Sequence, residues 1–207
     1  MKSYSTVKEH YSCSFTERRS EFISDIFPVS SSEEALELIG SVKSAHKKAS
    51  HVVSAYVLRD GYAKFSDAGE PSGTAGKPVL DVITANELSD VLITVTRYFG
   101  GVLLGAGGLT RAYSTAASMA VKGSQIQTFL PCKPVTITLS YTLYGKFQAF
   151  CSELRYIKMS EPVFTDEVSI DIKIPTEMKD EFLFEITDIL NANFKIVEYD
   201  EIYGDFS

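Results

Sequence analysis

Apolar and polar residues alternate along two stretches in the last third of the chain. Val135, Ile137 and Leu139 alternate with threonine and serine, and the alternation continues to Leu143. Apolar residues also occupy every second position of residues 168–174. A period of two is typical of a strand with one buried face. We therefore predict two half-buried strands in this part of the chain.

Helical spacing marks the segments around these strands. Apolar residues recur at helical spacing over residues 147–154 and over residues 178–189. Pro175 and Thr176 are predicted to open the second of these helices. A short second strand falls in the stretch that ends near Phe164, and a last strand is predicted over residues 194–202. The order β-α-β-β-α-β is that of a ferredoxin-like split βαβ unit.

The first part of the chain mixes strands and helices. Strands are predicted over residues 12–15 and 22–27, on either side of the polar run TERRSE. A helix follows, because Ser31 and Glu34 have the spacing of a capping box and an apolar stripe covers residues 35–42.

Two more strands and a helix complete this part. HVVSAYVL, from His51, is predicted to be a strand, and VLITVTRYF, from Val91, is the continuous apolar run of a strand buried on both faces. A glycine-rich turn then leads into an alanine-rich helix that ends at Gly123. The pattern indicates an α/β or α+β domain whose function is concentrated in its loops.

The segment PCKP, Pro131–Pro134, is predicted to be an extended connector between two domains, residues 1–130 and 131–207. Of the 20 Lys+Arg and 27 Asp+Glu residues, 13 and 13 lie in residues 1–130, which leaves 7 and 14 for residues 131–207. The second domain therefore repels phosphate at long range, so any polyanion site must be a local basic patch on the first. The predicted fold class is α+β with two domains.

The cysteines and histidines indicate no metal site. Cys13, Cys132 and Cys151 form no CxxC pair, and His46 and His51 are five residues apart, so they would point to different sides of one helix. We predict no metal and no cofactor. The polar start of the chain and the lack of an apolar stretch of about 20 residues predict a cytoplasmic protein without a membrane span.

The stretch KFSDAGEPSGTAGKP, residues 64–78, has the glycine content of a phosphate-binding loop. The nucleotide-binding P-loop is excluded, because Pro71 and Pro78 stand where that motif needs Gly and Ser or Thr. Further along, GAGGLT does not complete GxGxxG, because Thr110 holds the last glycine position.

A more general anion site remains. Gly107 and Gly108 are predicted to stand just before a helix N-terminus, where unpaired N–H groups favour an anion, and Arg97 and Arg111 would frame it. The alternative is that the glycines only permit a tight turn and close packing.

Two other clusters have a functional and a structural interpretation. Asp67, Glu70 and Asp81 are candidate ligands for Mg²⁺, and Ser72 and Thr74 with Lys77 are candidates for acyl transfer. Alternatively these residues form turn hydrogen bonds, and Glu70 pairs with Lys77 or with an arginine.

The second cluster is basic. It lies at a helix-to-strand junction, where cations also simply complement a helix C-terminus, and consists of His46, Lys47, Lys48 and His51.

Four blocks make the chain resemble the IMPACT/YigZ family. They are HKKASHVVSAY (46–56), FSDAGEPSGTAGKP (65–78), RYFGGVLLGAGGLTRAY (97–113) and the opening block ERRSEFI (17–23). Residues 135–202 resemble the small C-terminal domain of the bacterial members. The chain departs from the family pattern at Val52 and Val53, where many relatives have Asn and Cys, and at Leu103, where they often have lysine.

The resemblance implies a fold and a role. The N-terminal domain is expected to have the βα fold of the second domain of a small-subunit ribosomal protein, and the C-terminal domain to resemble the last domain of elongation factor G. Eukaryotic relatives are translational regulators that bind a large ribosome-associated activator and thereby restrain a kinase of translation initiation.

The leading hypothesis is a non-enzymatic cytoplasmic protein of translation that binds RNA, the ribosome or a ribosome-associated protein through residues 64–78 and 97–111. One rival is an enzyme of unknown substrate using Asp67, Glu70 and Lys77, with or without Mg²⁺; another is a protein-docking surface anchored by Tyr98 and Phe99. The candidate binding residues are His46, Lys48, His51, Asp67, Glu70, Ser72, Thr74, Lys77, Arg97, Tyr98, Gly107, Gly108 and Arg111.

Overall fold

The structure is a computed structural model that describes residues 1–206. Two compact units make up these residues: an N-terminal unit, residues 4–127, and a C-terminal unit, residues 128–206 with residues 1–3. The strands are β1 (Tyr4–Val7), β2 (Tyr11–Glu17), β3 (Ser20–Pro28), β4 (His51–Val57), β5 (Ala63–Ser66), β6 (Val91–Tyr98), β7 (Ile126–Leu139), β8 (Lys158–Met159), β9 (Val163–Phe164), β10 (Val168–Pro175), β11 (Lys195–Glu198) and β12 (Ile202–Asp205). The α-helices are α1 (Ser32–Ala45), α2 (Gly76–Ala85), α3 (Gly105–Gly123), α4 (Tyr141–Glu153) and α5 (Lys179–Ile189).

The N-terminal unit is built on an antiparallel sheet with the strand order β2-β3-β6-β4-β5. Strand β6 lies in the middle and is buried along almost its whole length, as its continuous apolar run predicts. Val53, Ile93 and Val95 share a core with residues of α2 and α3 on one face of the sheet. On the opposite face, Tyr56 and Leu92 share a smaller core with residues of α1.

Helix α1 begins as the capping pattern predicts. The Ser31 hydroxyl accepts a hydrogen bond from the backbone N–H of Glu34 at 3.2 Å. The Glu34 carboxylate in turn accepts from the backbone N–H of Ser30 at 2.7 Å, one residue before the position that the capping box uses. Ala35, Ile39 and Val42 are the buried residues of the helix.

The C-terminal unit has the predicted ferredoxin-like order. Strands β7 and β10 pair antiparallel, with Ile137 opposite Ile170; β11 and β12 pair with the other edge of β7, and β8 and β9 with the other edge of β10. Phe147 of α4 and Phe182 of α5 are completely buried in a core with the apolar side chains of β7 and β10. The two-domain α+β fold class is thereby confirmed.

Three boundaries in this unit differ from the predictions. Helix α4 starts at Tyr141, so Leu143 lies in the helix and not in the preceding strand. The predicted connector Pro131–Pro134 lies inside β7, where Pro131 pairs with β12 and Pro134 with β10. Two prolines indicate an extended backbone, which a strand provides as well as a linker does. The last predicted strand is divided into β11 and β12.

No helix within residues 1–206 is long and apolar enough to cross a membrane.

The turn between β2 and β3 is strained. Glu17 pairs with Ser20, so Arg18 and Arg19 alone form the turn, and both have positive φ, 45° and 66°. This is the backbone of a type I′ hairpin turn, which Asn and Gly prefer, because the left-handed region costs other residues about 1–2 kcal/mol each. Gly100 packs directly behind it: a Cβ atom there would lie 1.9 Å from the Arg19 carbonyl oxygen.

We predict that the double substitution Arg18→Asn/Arg19→Gly stabilises the protein by about 1 kcal/mol, because these residues adopt positive φ at lower cost. Urea unfolding followed by circular dichroism measures the change. The control Arg18→Val/Arg19→Val should destabilise, since β-branched residues are disfavoured at positive φ. Equal stability of the two double variants would contradict the strained turn.

Candidate functional site

The candidate site is centred on a buried arginine in the middle of the N-terminal sheet. Phe22, Arg97 and His51 stand opposite one another on β3, β6 and β4, so their side chains share one face of the sheet. Only 6% of the Arg97 side chain is exposed. Its guanidinium carbon lies 5.6 Å from the ring centre of Phe22 and 5.4 Å from that of Phe99, so the charge is bordered by two aromatic rings.

Glu70 supplies the opposite charge. Its Oε1 atom accepts a hydrogen bond from Arg97 Nη1 at 2.7 Å and from the Tyr113 hydroxyl at 2.8 Å. Only 4% of the Glu70 side chain is exposed. A buried charge is tolerated only when it is paired and hydrogen-bonded. The pair therefore joins three parts of the unit: the loop that carries Glu70, strand β6 and helix α3.

Tyr113 acts as a hydrogen-bond donor in this group. Burial, and then the nearby Glu70 carboxylate, raise the pKa of Tyr113 above its ordinary range. The hydroxyl therefore stays protonated and donates a hydrogen bond to Glu70. The Tyr113 ring also packs edge-on against Phe22, with the ring centres 5.3 Å apart.

His51 lies at the edge of the same group. Its Nδ1 atom is 2.9 Å from the backbone oxygen of Ala68. Because a carbonyl oxygen only accepts, Nδ1 must carry a proton and donate. Nε2 is then turned toward Glu70 Oε1, at 3.7 Å. His51 therefore links β4 to the loop and faces the Glu70 carboxylate.

Asp67 holds the loop and the start of α2. Its carboxylate accepts three backbone N–H bonds, from Gly73 at 2.9 Å, Ala75 at 3.1 Å and Gly76 at 2.8 Å. Burial alone would raise the pKa of Asp67, but the bonds from Gly73, Gly76 and Ala75 outweigh it, and the pKa is lowered. Asp67 thus serves as the N-terminal cap of α2 and stays ionised.

The other polar residues of the loop are dispersed. The Thr74 hydroxyl donates to the carbonyl of Pro71 at 2.6 Å, Lys77 pairs with Asp81 on the exposed side of α2, and Ser72 is exposed. Lys77 is thus not the partner of Glu70, and the structural interpretation of the loop accounts for each of these contacts. Within residues 1–206 no group of three His, Cys, Asp or Glu side chains is placed to hold a metal ion.

A hollow of about 450 Å³ opens beside Glu70 and Arg97; we call it the apolar hollow. Its rim is exposed, with 48% of Phe99 and 81% of Leu103 accessible. The charged groups lie at its base, where they neutralise each other. Its lining is Ser50, His51, Glu70, Pro71, Arg97, Phe99, Leu103, Leu104, Gly105, Ala106 and Leu109.

His46 and Tyr98 form a separate contact. Tyr98 follows Arg97 in β6, so its side chain is on the opposite face of the sheet, where its hydroxyl is 2.9 Å from His46 Nδ1. The backbone N–H of His46 donates to the Val42 carbonyl at the end of α1. Lys48 is exposed beside it. Tyr98 and Phe99 therefore do not form one anchor, and the basic cluster is separated from the apolar hollow except for His51.

The structure does not bring together the residues of the predicted anion site. Gly107 and Gly108 lie inside the first turn of α3, which begins at Gly105, and not before it. Arg111 does not meet Arg97, which is neutralised by Glu70. Arg111 instead lines a second hollow of about 350 Å³ together with Arg18; we call it the arginine hollow. Its lining is Phe15, Glu17, Arg18, Leu104, Gly108, Arg111, Ala112 and Thr115.

Three residues near the two hollows were not predicted from the sequence: Arg18, Tyr113 and Ser20. Ser20 is completely buried and its hydroxyl accepts a hydrogen bond from the backbone N–H of Gly100 at 3.2 Å. Arg18 had a signal in the sequence, because two arginines occupy a short turn between two strands in the block ERRSEFI. Tyr113 had none beyond its place in a predicted helix.

Two family models match the chain. The model of the Impact N-terminal domain matches residues 18–121, and a domain of unknown function, DUF1949, matches residues 137–193. The first match contains strands β3 to β6, residues 64–78, which we call the signature loop, and most of the residues that line the two hollows. The second match lies in the ferredoxin-like unit.

The whole chain is similar to known proteins. IMPACT family member YvyE of Bacillus subtilis (strain 168) is 34% identical over 98% of this chain and 94% of its own length. IMPACT family member YigZ of Escherichia coli (strain K12) is 27% identical over 89% of this chain and 92% of its own. A crystal structure described as that of an hypothetical protein is 25% identical, with a TM-score of 0.62 over 97% of this chain and 98% of that one.

We predict that Glu70→Gln and Arg97→Met each destabilise the N-terminal unit by about 3–5 kcal/mol, because each leaves a buried partner uncompensated. The double variant should cost about 2–3 kcal/mol less than the sum of the two. Urea unfolding of the four proteins gives this coupling. The exposed pair Lys77 and Asp81, treated in the same way, is the control and should couple by about 0.3–0.5 kcal/mol. Equal coupling in the two cycles would contradict the buried pair.

We predict an acid dependence of stability that originates at Asp67. A lowered pKa in the folded state means that the unfolded chain binds the proton first. The contribution of Asp67 is therefore complete at neutral pH and is lost as pH falls from about 4 through the lowered value. Between about pH 7 and about pH 3, the midpoint of thermal unfolding should fall less steeply with decreasing pH for Asp67→Asn than for the wild type. Glu37→Gln, which changes an exposed carboxylate on α1, is the matched control, and an identical decline in wild type and Asp67→Asn would refute the assignment.

Proposed function

This chain belongs to the IMPACT family, and from that premise we propose that it is a non-enzymatic regulator acting in translation. Its N-terminal unit would bind RNA, the ribosome or a ribosome-associated protein around the apolar hollow. A cytoplasmic location is part of the same proposal. The role in translation rests on the family's eukaryotic members, to which the signature blocks relate this chain.

One observation carries the choice of binding over catalysis. The titratable groups of the signature loop are hydrogen-bonded within the protein, whereas apolar side chains remain exposed beside them. Glu70 is occupied by Arg97 and Tyr113, and Asp67 by backbone N–H groups. A general base or a metal ligand must instead be free to reach a substrate or an ion. Exposed Phe99 and Leu103 are suited to contact a partner surface.

The enzyme hypothesis required Asp67, Glu70 and Lys77 to act together. Each of these side chains has a different partner, and Lys77 pairs with Asp81 on α2. That arrangement favours a structural role for all three and leaves the rim of the hollow as the functional surface.

Charge favours the N-terminal unit as the contact with a ribosome. Residues 1–130 carry equal numbers of basic and acidic side chains, 13 each, whereas acidic side chains outnumber basic ones in the remainder. Ribosomes present mainly phosphate, so an acidic surface is repelled and a balanced one with exposed arginines is not.

We predict that Leu103→Ala and Phe99→Ala each weaken binding to purified ribosomes about tenfold, since loss of a central anchor costs at least about 1.4 kcal/mol. Co-sedimentation through a sucrose cushion measures the binding. Leu36→Ala is the matched control, because Leu36 is 53% exposed on α1, away from the hollow face of the sheet.

Two comparisons sharpen this test. Binding to unwashed ribosomes that disappears after a high-salt wash would assign the contact to a ribosome-associated protein. Leu103→Lys should strengthen binding to RNA and weaken binding to an apolar protein surface. Undiminished sedimentation of both alanine variants would refute the role of the apolar hollow.

A further inference from the structure

Two arginines of the N-terminal unit lie in one hollow without a partner. Arg18 and Arg111 both line the arginine hollow, and within residues 1–206 neither guanidinium group has a hydrogen bond or an ion pair with another residue. Two other arginines of this unit are paired with carboxylates, Arg97 with Glu70 and Arg59 with Asp90, whereas Arg19 is exposed in the same turn as Arg18. Glu17 is the one carboxylate among the lining residues, so the hollow has an excess of positive charge.

We propose that the arginine hollow binds the phosphate groups of single-stranded RNA, with Arg18 and Arg111 as the contacting residues. This inference rests on the proposed function and names the ligand for it. Guanidinium groups suit this task, because they present several N–H donors in a plane that matches phosphate oxygens.

The side chain of Arg111 is directed toward the start of its own helix. A Cβ atom on Gly107 would lie 4.0 Å from Arg111 Nη1, so the guanidinium covers the first turn of α3. Gly107 and Gly108 leave this turn without bulky side chains. The residue before the helix, Leu104, offers no side-chain acceptor, and no acidic residue stands in the first turn. The N–H groups there are thus available beside the two arginines.

The strained turn presents Arg18 at the same hollow. Arg18 and Arg19 keep positive φ, although neither has the glycine or asparagine side chain that such a turn prefers. Strain of this kind is maintained where the surrounding structure imposes it, and it is commonly found at binding sites. Gly100 allows the turn to pack closely enough for Arg18 to reach the first turns of α3.

The neighbouring apolar hollow favours RNA over an acidic protein. Leu104 lines both hollows, so they are adjacent. Phe99, at the rim of the apolar hollow, is 48% exposed and carries Arg97 over its ring. Single-stranded nucleic acid is bound by this combination of a cationic groove for the backbone and an aromatic ring on which a base stacks. A base on Phe99 and a phosphate at Arg18 and Arg111 would occupy the two hollows together.

The test is fluorescence anisotropy with a labelled short oligouridylate between about 50 and about 200 mM salt. Arg111→Gln should lower the log-log salt slope by about 0.7, the value for one phosphate contact on a single strand. Arg18→Asn/Arg19→Gly should lower the slope by at least the same amount while the thermal midpoint rises, which separates loss of binding from loss of folding. Each variant should weaken binding of oligoadenylate by the same factor as binding of oligouridylate, because phosphate contacts do not distinguish bases.

Arg155→Gln is the matched control, because it removes one exposed arginine from the C-terminal unit. An equal effect of Arg155→Gln and Arg111→Gln would overturn the site, since general charge would then explain the binding. No binding of the wild type to RNA, with ribosome binding intact, would overturn the phosphate inference and leave the proposed function standing. If the wild type binds neither RNA nor ribosomes, the phosphate inference and the proposed function are both overturned. Binding of polyglutamate in place of RNA would assign the hollow to an acidic protein and overturn the inference.

Discussion

The buried pair of Arg97 and Glu70 is the interaction on which the N-terminal unit depends. Arg97 stands in the centre of the sheet, where an unpaired cation would cost several kcal/mol. Glu70 is the compensating charge, but it lies on a loop, so the loop must fold onto the sheet for the strand to be stable. Tyr113 fixes the same carboxylate to α3. One contact thereby positions a loop, a strand and a helix, and the apolar hollow is the space left at their junction.

This constraint accounts in structural terms for the charged residues of the signature loop. The loop has few regular backbone hydrogen bonds, and its two carboxylates stabilise it instead. Asp67 accepts hydrogen bonds from the open N–H groups at the start of α2, and Glu70 anchors the loop to the core. Gly76 permits the approach, since a Cβ atom there would lie 2.8 Å from the Ser66 backbone. Residues that look like an active site in sequence are here the means by which an irregular segment is held rigid.

The sequence allowed most elements to be predicted, because the fold follows local rules in these places. The alternation along β10, the apolar run of β6 and the cap at Ser31 depend only on neighbouring residues. The hydrogen-bonded group around Arg97 could not be predicted, because its members are distant along the chain. Glu70 is 27 residues from Arg97, and Tyr113 is 43 residues from Glu70. The same reason explains why Arg111 was assigned to Arg97. Arg18 lies at the tip of the β2–β3 hairpin, and a single sequence does not show which helix turn this tip will contact.

One edge of the N-terminal unit combines several local conflicts, although Ala68, Glu87 and Asp90 also have positive φ elsewhere in the unit. Helix α1 has Ser31 and helix α2 has Asp67 as acceptors at their starts, whereas α3 has none. The same edge carries two arginines at positive φ, a conformation that costs stability, and the exposed guanidinium groups of Arg18 and Arg111. Natural sequences keep such local conflicts mainly where function requires them. A phosphate would accept hydrogen bonds from the open N–H groups and from both guanidinium groups at once, so the inferred ligand would engage these neighbouring donors together.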